Sequence, residues 1–347
     1  MNGILADPWR DKRVLITGVC GTVGRELLRQ VVRHQPAEIL GLDNNESELF
    51  FLSEQYSACD EVHLFLGDLR DRDKLARKMR GIDVVLHSAA LKHVILCEKS
   101  PTDAVQTNIL GVQNVIDAAN ANGVERVLFT SSDKAVNPTN VMGTSKLMGE
   151  RLMTAANAHR RGNGPIFAST RFGNVLGSRG SVIPLFKQQV AGGGPITLTD
   201  PAMTRFIMTL EQAVCLVMES TFLTQGGEVF VTKMPVVYIA DLAAVMVEEL
   251  APRHGFDPDK IEIKVIGSKP GEKLYEELLN DEETRRTVEL PDYFVVLPAF
   301  KSVYETIEYV YSGMAEKVGV DRPYNSSVEP AMKREELRDY LLRHELI

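Results

Sequence analysis

The feature that most narrows the folding options is the join at residues 13–24, where the apolar run RVLIT (13–17) passes directly into Gly18-Val19-Cys20-Gly21-Thr22-Val23-Gly24. A strand that ends in such a GxxGxxG turn and opens a helix brings backbone N–H groups up to a bound anion, and the helix N-terminus favours the negative charge. Glycine permits the tight turn and the close approach. Alone, the motif is a turn with three glycines; its place between a strand and a helix gives it weight. Thr17, Gly18, Gly21, Thr22, Val23 and Gly24 are therefore candidate ligands of a dinucleotide pyrophosphate.

The chain downstream repeats the same alternation. RVLIT (13–17), EILGLD (38–43), HLFLGD (63–68), VVLHSA (84–89), RVLFTS (126–131) and FASTRFGNV (167–175) read as buried strands, with EVFVT (228–232) a later addition. Helical stretches are expected near 22–34, 46–58, 71–80, 103–122 and 143–161; in 103–122, Val105, Ile109, Val112, Val115, Ile116 and Ala119 form one apolar stripe. This order predicts an α/β fold, a Rossmann-type doubly wound parallel sheet with a smaller C-terminal substrate lobe. The nucleotide domain is expected over 12–175 with a return segment at about 228–250, and the lobe and tail over 176–227 and 251–347. Within the last stretch, KIEIKVI (260–266) reads as a strand, and a helix is expected from about Leu274.

Charge and cysteine usage remove several functions. With 39 basic and 47 acidic residues the net charge is −8, which argues against a nucleic-acid binder, although a local cationic cluster can still hold an anionic small ligand. Cys20, Cys59, Cys97 and Cys215 are dispersed with no CxxC pair, so neither a zinc site nor any other metal site is expected. No stretch approaches the roughly 18 apolar residues of a membrane helix, and the chain is read as soluble and cytoplasmic with no membrane partner.

Asp43 closes the second strand, where an acidic side chain accepts hydrogen bonds from an adenosine ribose and repels a 2′-phosphate. The following Asn44 and Asn45 supply no arginine to neutralise such a phosphate, so NAD is expected in preference to NADP. Gly67, Asp68 and Leu69 would border the adenine, Asn44 is a further cofactor-binding candidate, and Ala89 and Ala90 give small residues beside the cofactor. The fifth strand ends in Ser131-Ser132-Asp133-Lys134, which places a hydroxyl, an acid and an amine at the carboxyl end of a central strand. Met142 and Lys146 are four apart and share a helix face.

TGxxGxxG, the Ser-Ser-Asp of strand five and a lysine four residues after the position of a tyrosine together resemble the extended short-chain dehydrogenase/reductase superfamily. More narrowly, SSDKAVNPTNVMGTSK, LKHVILCEKSP, RFGNVLGSRGSVIPLF and KPGEKLYEELL are similar to the nucleotide-sugar 4,6-dehydratases that act on UDP-N-acetylglucosamine, the family of bacterial flagellin-glycan, capsule and O-antigen enzymes. The resemblance covers about residues 12–280. It implies that Ser132 hydrogen-bonds the sugar, Asp133 is the general acid, Lys134 the general base and Lys146 the cofactor-ribose lysine. It also implies that Lys92, Arg171, Asn174, Arg179, Ser181, Arg205 and Glu272 line the nucleotide-sugar pocket, with His93 and Lys273 near them.

Met142 stands where the superfamily has tyrosine, and a thioether cannot accept the proton of a sugar 4-hydroxyl. Some members of the dehydratase family share this methionine. For Lys134 to act as base its pKa has to fall toward neutrality, through burial or a cation such as Lys146. The resemblance further implies a homodimer built on the 103–122 and 143–161 helices, or a higher homo-oligomer. Within the same fold, the alternatives are a dehydratase of another nucleotide sugar such as GDP-N-acetylglucosamine and a nucleotide-sugar 4-epimerase. A catalytically silent NAD-binding regulator is the reading from a different class.

Overall fold

The protein is described by a computed structural model covering residues 7–268, 270–300, 303–314 and 318–347. Six parallel strands, β1 (Arg13–Thr17), β2 (Glu38–Asp43), β3 (Val62–Leu66), β4 (Val84–His87), β5 (Arg126–Ser132) and β6 (Ile166–Phe172), lie in the order β3-β2-β1-β4-β5-β6. The direction of build-up reverses between β1 and β4, which opens a crevice at their carboxyl ends. Helices cover both faces, so β1, β4 and β5 bury nearly all of their side chains, and their sequences are continuous apolar runs for that reason. The connecting helices α1 (Thr22–Val31), α2 (Glu46–Gln55) and α3 (Arg72–Lys78) fall within the expected ranges.

The 103–122 stripe is not one uniform helix. It runs as Pro101–Ala104, a wide-turned segment Val105–Leu110, and Gly111–Asn122. The wide turn carries Asn108 inward, where its amide donates to the Leu91 carbonyl at 2.9 Å and to Ser145 Oγ at 2.9 Å, and accepts from Leu91 N at 2.8 Å. A helix that lodges a polar side chain in this way locally gives up its regular ladder.

The stretch expected as one strand over 167–175 breaks at Gly173, where a Cβ would sit 2.7 Å from the Phe206 carbonyl oxygen. Only glycine permits that crossing. Asn174–Val175 then pairs with Thr204–Met208 in a separate three-stranded sheet. Val229–Thr232 does return to the main sheet, parallel to β6. The helix Ile239–Leu250 does not: Leu242 and Met246 pack with Ile183 and Phe186 of the helix Val182–Ala191 and with Leu337 and Leu341 of the C-terminal helix. These residues form the core of the second lobe.

Two other expectations change. The sequence predicts lobe and tail over 251–347, yet the hairpin of Thr287–Glu289 and Tyr293–Val296 extends the main sheet antiparallel beyond Val229–Thr232, giving nine strands. No long helix begins at Leu274; Glu277–Leu279 is a strand paired with Tyr324–Asn325, and only Asp281–Thr284 is helical, with Asn280 and Glu283 forming a capping box. No described helix is long and apolar enough to cross a membrane.

Candidate active site

A cavity of about 1210 Å³ lies over the carboxyl ends of β1, β4 and β5 and is closed on its far side by Ser181, Thr197, Arg205, Glu272 and Glu276 of the second lobe. At one end is the glycine turn. Gly18 has φ +71°, and a Cβ there would lie 2.7 Å from Ala89 Cα; at Gly24 it would lie 2.1 Å from the Gly18 carbonyl oxygen. Gly21 caps α1 with no side-chain hydrogen bond, so the first N–H groups of α1, at Thr22, Val23 and Gly24, are left for a ligand along the cavity wall. This is a cradle whose donors are backbone and whose closeness only glycine allows, and it suits a dinucleotide pyrophosphate.

Asp43 lines the same end; its carboxylate accepts from Cys20 N at 2.9 Å and Asn45 N at 3.0 Å, which fixes it beside the turn. Asn44, Asp68, Leu69, Ala89 and Ala90 also line the cavity. Thr17 lies beneath it, fully buried, sharing a hydrogen bond with His87 Nδ1 at 2.7 Å. Arg70 pairs with Asp68, whose pKa it lowers to about 2, and Arg25 pairs with Glu48.

The other end holds the acid and the amine. Ser132 Oγ donates to Asp133 Oδ1 at 2.7 Å, and Lys134 Nζ donates to the same oxygen at 3.0 Å. Asp133 is 1% exposed and reaches the cavity only through Ser132 and Lys134, which do line it; its Oδ2 is enclosed and has no partner. The turn is held against the helix Val141–Ala158 because Gly143 has no side chain: a Cβ there would lie 2.2 Å from the Lys134 carbonyl oxygen. Asn140 caps that helix through Gly143 N at 2.8 Å, so Met142 and Lys146 both face the cavity. Met142 is buried against Cys97 and Ala104. Lys146 Nζ donates to the Thr130 carbonyl at 2.8 Å above the Phe129 ring, and burial lowers its pKa to about 8.

Lys134 does not follow the expected direction. Burial pulls its pKa down, but the carboxylates of Asp133 and Glu276 outweigh burial and hold it above the ordinary lysine value. Lys146, the cation expected to lower it, makes its contacts at Thr130 and Phe129, and the cation that does oppose the two carboxylates is Arg205.

Glu276 was missed in the sequence. Its Oε1 lies 3.4 Å from Lys134 Nζ and 3.8 Å from Arg205 Nε, and its Oε2 is buried without a partner. Burial raises its pKa, although Lys134 opposes the rise. The signal is in the KPGEKLYEELL segment, where the buried Glu276 follows the candidates Glu272 and Lys273 by four and three residues.

Of the residues expected to touch substrate, Lys92, Asn174, Arg179, Ser181, Arg205 and Glu272 line the cavity. Arg171 does not. It is 1% exposed, and its guanidinium is bidentate to both Glu150 and Glu283 at 2.7–2.8 Å, joining β6 to two other segments as a structural staple. Arg205 donates to the carbonyls of Thr204, Lys273 and Leu274, so it braces the 272–276 segment as well as facing the cavity. Arg179 reaches Glu48 at 3.0 Å, on the cofactor side of the crevice, and Lys92 Nζ donates to the Arg179 carbonyl at 2.8 Å. Among the described residues no cluster of His, Cys, Asp or Glu has the makings of a metal site.

The sequence matches the family described as polysaccharide biosynthesis protein over residues 14–298. It is 50% identical over 290 residues to a Methanocaldococcus jannaschii protein described as an uncharacterized membrane protein, covering 84% of this chain and 87% of that one. It is 36% identical to a Campylobacter jejuni UDP-N-acetylglucosamine 4,6-dehydratase (inverting), covering 88% and 89%. It is also 35% identical to a Rickettsia canadensis UDP-glucose 4-epimerase, covering 96% of each. Two further relatives are about twice as long, and the chain spans 46% of each. Among solved structures, Pen from Bacillus thuringiensis superposes with a TM-score of 0.89 at 41% identity, covering 98% of this chain and 99% of that one.

Proposed function

The chain belongs to the polysaccharide biosynthesis protein family, and on that premise we propose that it is an NAD-dependent nucleotide-sugar 4,6-dehydratase acting on UDP-N-acetylglucosamine in the cytoplasm. The observation that carries this reading is the adjacency of Ser132, Asp133 and Lys134 in one cavity with the glycine turn. Elimination of water from a sugar needs one group to take a proton from carbon and another to give one to a departing hydroxyl. An acid and an amine in hydrogen-bond contact meet that need, whereas epimerisation at C4 has no use for the pair.

The cofactor residues support NAD over NADP. Asp43 is placed for the ribose, while the arginines around that end of the crevice are already paired, Arg70 with Asp68 and both Arg25 and Arg179 with Glu48. Bound NAD supplies a hydride acceptor at C4 of the sugar and, once reduced, a hydride donor at C6. Lys146, cationic below about pH 8, holds positive charge beside the ribose.

The remaining work belongs to the chain. Ser132 hydrogen-bonds the sugar and connects it to Asp133, so the 4-hydroxyl proton passes to the carboxylate as the C4 ketone forms. The ketone acidifies the C5 hydrogen, which Lys134 removes. Asp133 returns its proton, through Ser132, to the departing C6 hydroxyl. Met142 has no proton to give or take, and no tyrosine is among the described residues lining the cavity, so Asp133 carries the proton that a tyrosine would.

The test is to incubate the purified protein with UDP-N-acetylglucosamine, UDP-glucose and GDP-N-acetylglucosamine and to follow loss of water by mass spectrometry, with acid extraction of the bound cofactor. Loss of water from UDP-N-acetylglucosamine with release of NAD supports the reading. An isomer of unchanged mass would make the protein an epimerase, and no turnover of any sugar would favour a silent NAD-binding protein.

A further inference from the structure

Lys134 is asked to act as a base in a place built to keep it an acid. Its amine lies 3.0 Å from Asp133 Oδ1 and 3.4 Å from Glu276 Oε1, and two carboxylates around an ammonium stabilise the charged form, which has no lone pair for a C–H proton. The proton therefore needs a place to go before Lys134 can work. Asp133 is a poor choice: Oδ1 already accepts from Ser132, and the carboxyl has to carry a different proton to the leaving hydroxyl.

Glu276 has the required properties. Its side chain is 3% exposed, Oε1 points between Lys134 and Arg205, and Oε2 is enclosed with no hydrogen-bond partner. The charged groups facing it are Lys134 and Asp133 from the end of β5, Arg205 from the strand Thr204–Met208, and Lys273 from its own segment, with Glu272 beside Arg205. Its backbone is pinned on both sides by Ser326, which accepts from Glu276 N through Oγ and donates to the Glu276 carbonyl, each at 3.0 Å. Burial favours the neutral carboxylic acid, so this carboxylate can accept a proton without leaving an uncompensated charge.

We propose that Glu276 is the proton partner of Lys134, a positioning residue that takes the ammonium proton and so presents a neutral amine to the C5 hydrogen. The inference rests on the dehydratase reading. In the transfer the Nζ–H bond breaks and a Glu276 O–H bond forms. The neutral amine then takes the C5 proton, the C–H electron pair passes into the C5–C6 bond as the C6 hydroxyl leaves, and the ammonium later returns one of its three solvent-exchangeable protons to C5. Glu276 keeps its own proton throughout that cycle, so the pair holds one proton at rest and two after abstraction.

The consequence is a distinctive pH profile. The active form is a tautomer of the resting pair with the same proton count, so its population does not change with pH while that count holds. With Glu276→Gln the remaining carboxylate, Asp133, has the oxygen that faces the amine already accepting from Ser132, so the amine becomes neutral by losing its proton to solvent and the active fraction then rises about tenfold per pH unit below the lysine pKa. The step is isolated by washing deuterium into C5 of the 4-keto-6-deoxy product, where the ketone is already present, from pH 6.5 to 8.5. Wild-type exchange is expected to be flat and Glu276→Gln exchange to climb about tenfold per unit. Wild-type exchange that itself climbs in this way overturns the inference, as does a Glu276→Gln profile as flat as wild type. Retained NAD confirms that the variant folds; if it does not fold, the wild-type slope alone decides. Failure of the wild type to dehydrate UDP-N-acetylglucosamine would sink the functional reading instead, and the two failures are separable.

Discussion

His87 makes the acid sensitivity of this fold a calculable quantity. The imidazole ends β4 directly under the glycine turn, is fully buried, shares a hydrogen bond with Thr17 Oγ1 at 2.7 Å, and lies tilted on Phe129 with its Nε2 enclosed and unpartnered. Burial first, and the charge of Lys146 second, lower its pKa to about 3. In the unfolded chain the same group titrates near about 6.5. Between these values the unfolded state binds a proton that the folded state refuses, so stability rises with pH across the window and falls as the solution is acidified. Each unit is worth about 1.4 kcal/mol, so acidification from about pH 6.5 to 5 removes about 2 kcal/mol, and the full window about 5 kcal/mol. The assay is urea unfolding at a series of pH values on the wild type and on His87→Gln, which cannot titrate. Carboxylates shared by both proteins cancel in the difference, so the variant should lose about 2 kcal/mol less than wild type between pH 6.5 and 5. Parallel profiles would refute the argument, because they would mean that the imidazole takes up a proton in the folded state.

Three other outcomes follow from geometry already described. Asp133→Asn is expected to abolish formation of enzyme-bound NADH when mixed with substrate, whereas Met142→Ala, which removes packing against Cys97 and Ala104, should lower activity by less than about tenfold; NADH formed at the wild-type rate in Asp133→Asn would show that the 4-hydroxyl proton leaves elsewhere. Gly24→Ala drives a methyl to within 2.1 Å of the Gly18 carbonyl oxygen, so the purified variant should carry little cofactor on acid extraction and lose about 1–3 kcal/mol of stability. Arg171→Leu leaves Glu150 and Glu283 buried without their shared cation and should cost about 3–5 kcal/mol by denaturant titration; a loss below about 1 kcal/mol would mean the triad is not what joins β6 to the 278–283 segment.

What could be read from the sequence was whatever depends on near neighbours. The GxxGxxG turn, β1 through β6 and the Ser132-Asp133-Lys134 end of β5 each show themselves in a dozen residues or fewer, because apolar runs and glycine spacing record local backbone geometry. Partners distant in sequence left no such record. Arg171 lies on a strand that borders the site, and nothing local distinguishes an arginine aimed at a phosphate from one aimed inward at Glu150 and Glu283, the latter 112 residues away. Glu276 becomes a neighbour of Lys134 only because Thr204 N bonds the Leu274 carbonyl and Ser326 pins the backbone at Glu276. The hairpin 287–296 left no such signal because its strands are three and four residues long, too short for periodicity to separate strand from loop.

Seen together, Met142, Asp133 and Glu276 give the proposed reaction two proton circuits that do not mix. With no tyrosine among the described residues lining the cavity, the proton lost from the 4-hydroxyl is taken by Asp133 through Ser132 and is the one the carboxyl later gives to the departing hydroxyl at C6. The C5 proton passes to Lys134, an amine freed by Glu276, and one of the ammonium protons, which exchange with solvent, is returned to C5. Each circuit begins and ends on the sugar, so the net reaction releases water with no net uptake of a proton from solvent. That explains why a single lysine is flanked by two enclosed carboxylates: one handles oxygen-bound protons, and the other keeps the amine available for carbon. A carboxylate shared between both duties would carry a proton just when the amine needed to lose one. Merging the circuits, as Glu276→Gln would do by leaving Asp133 the only carboxylate in contact with the amine, is therefore expected to impair deuterium exchange at C5 near neutral pH more than the initial formation of bound NADH.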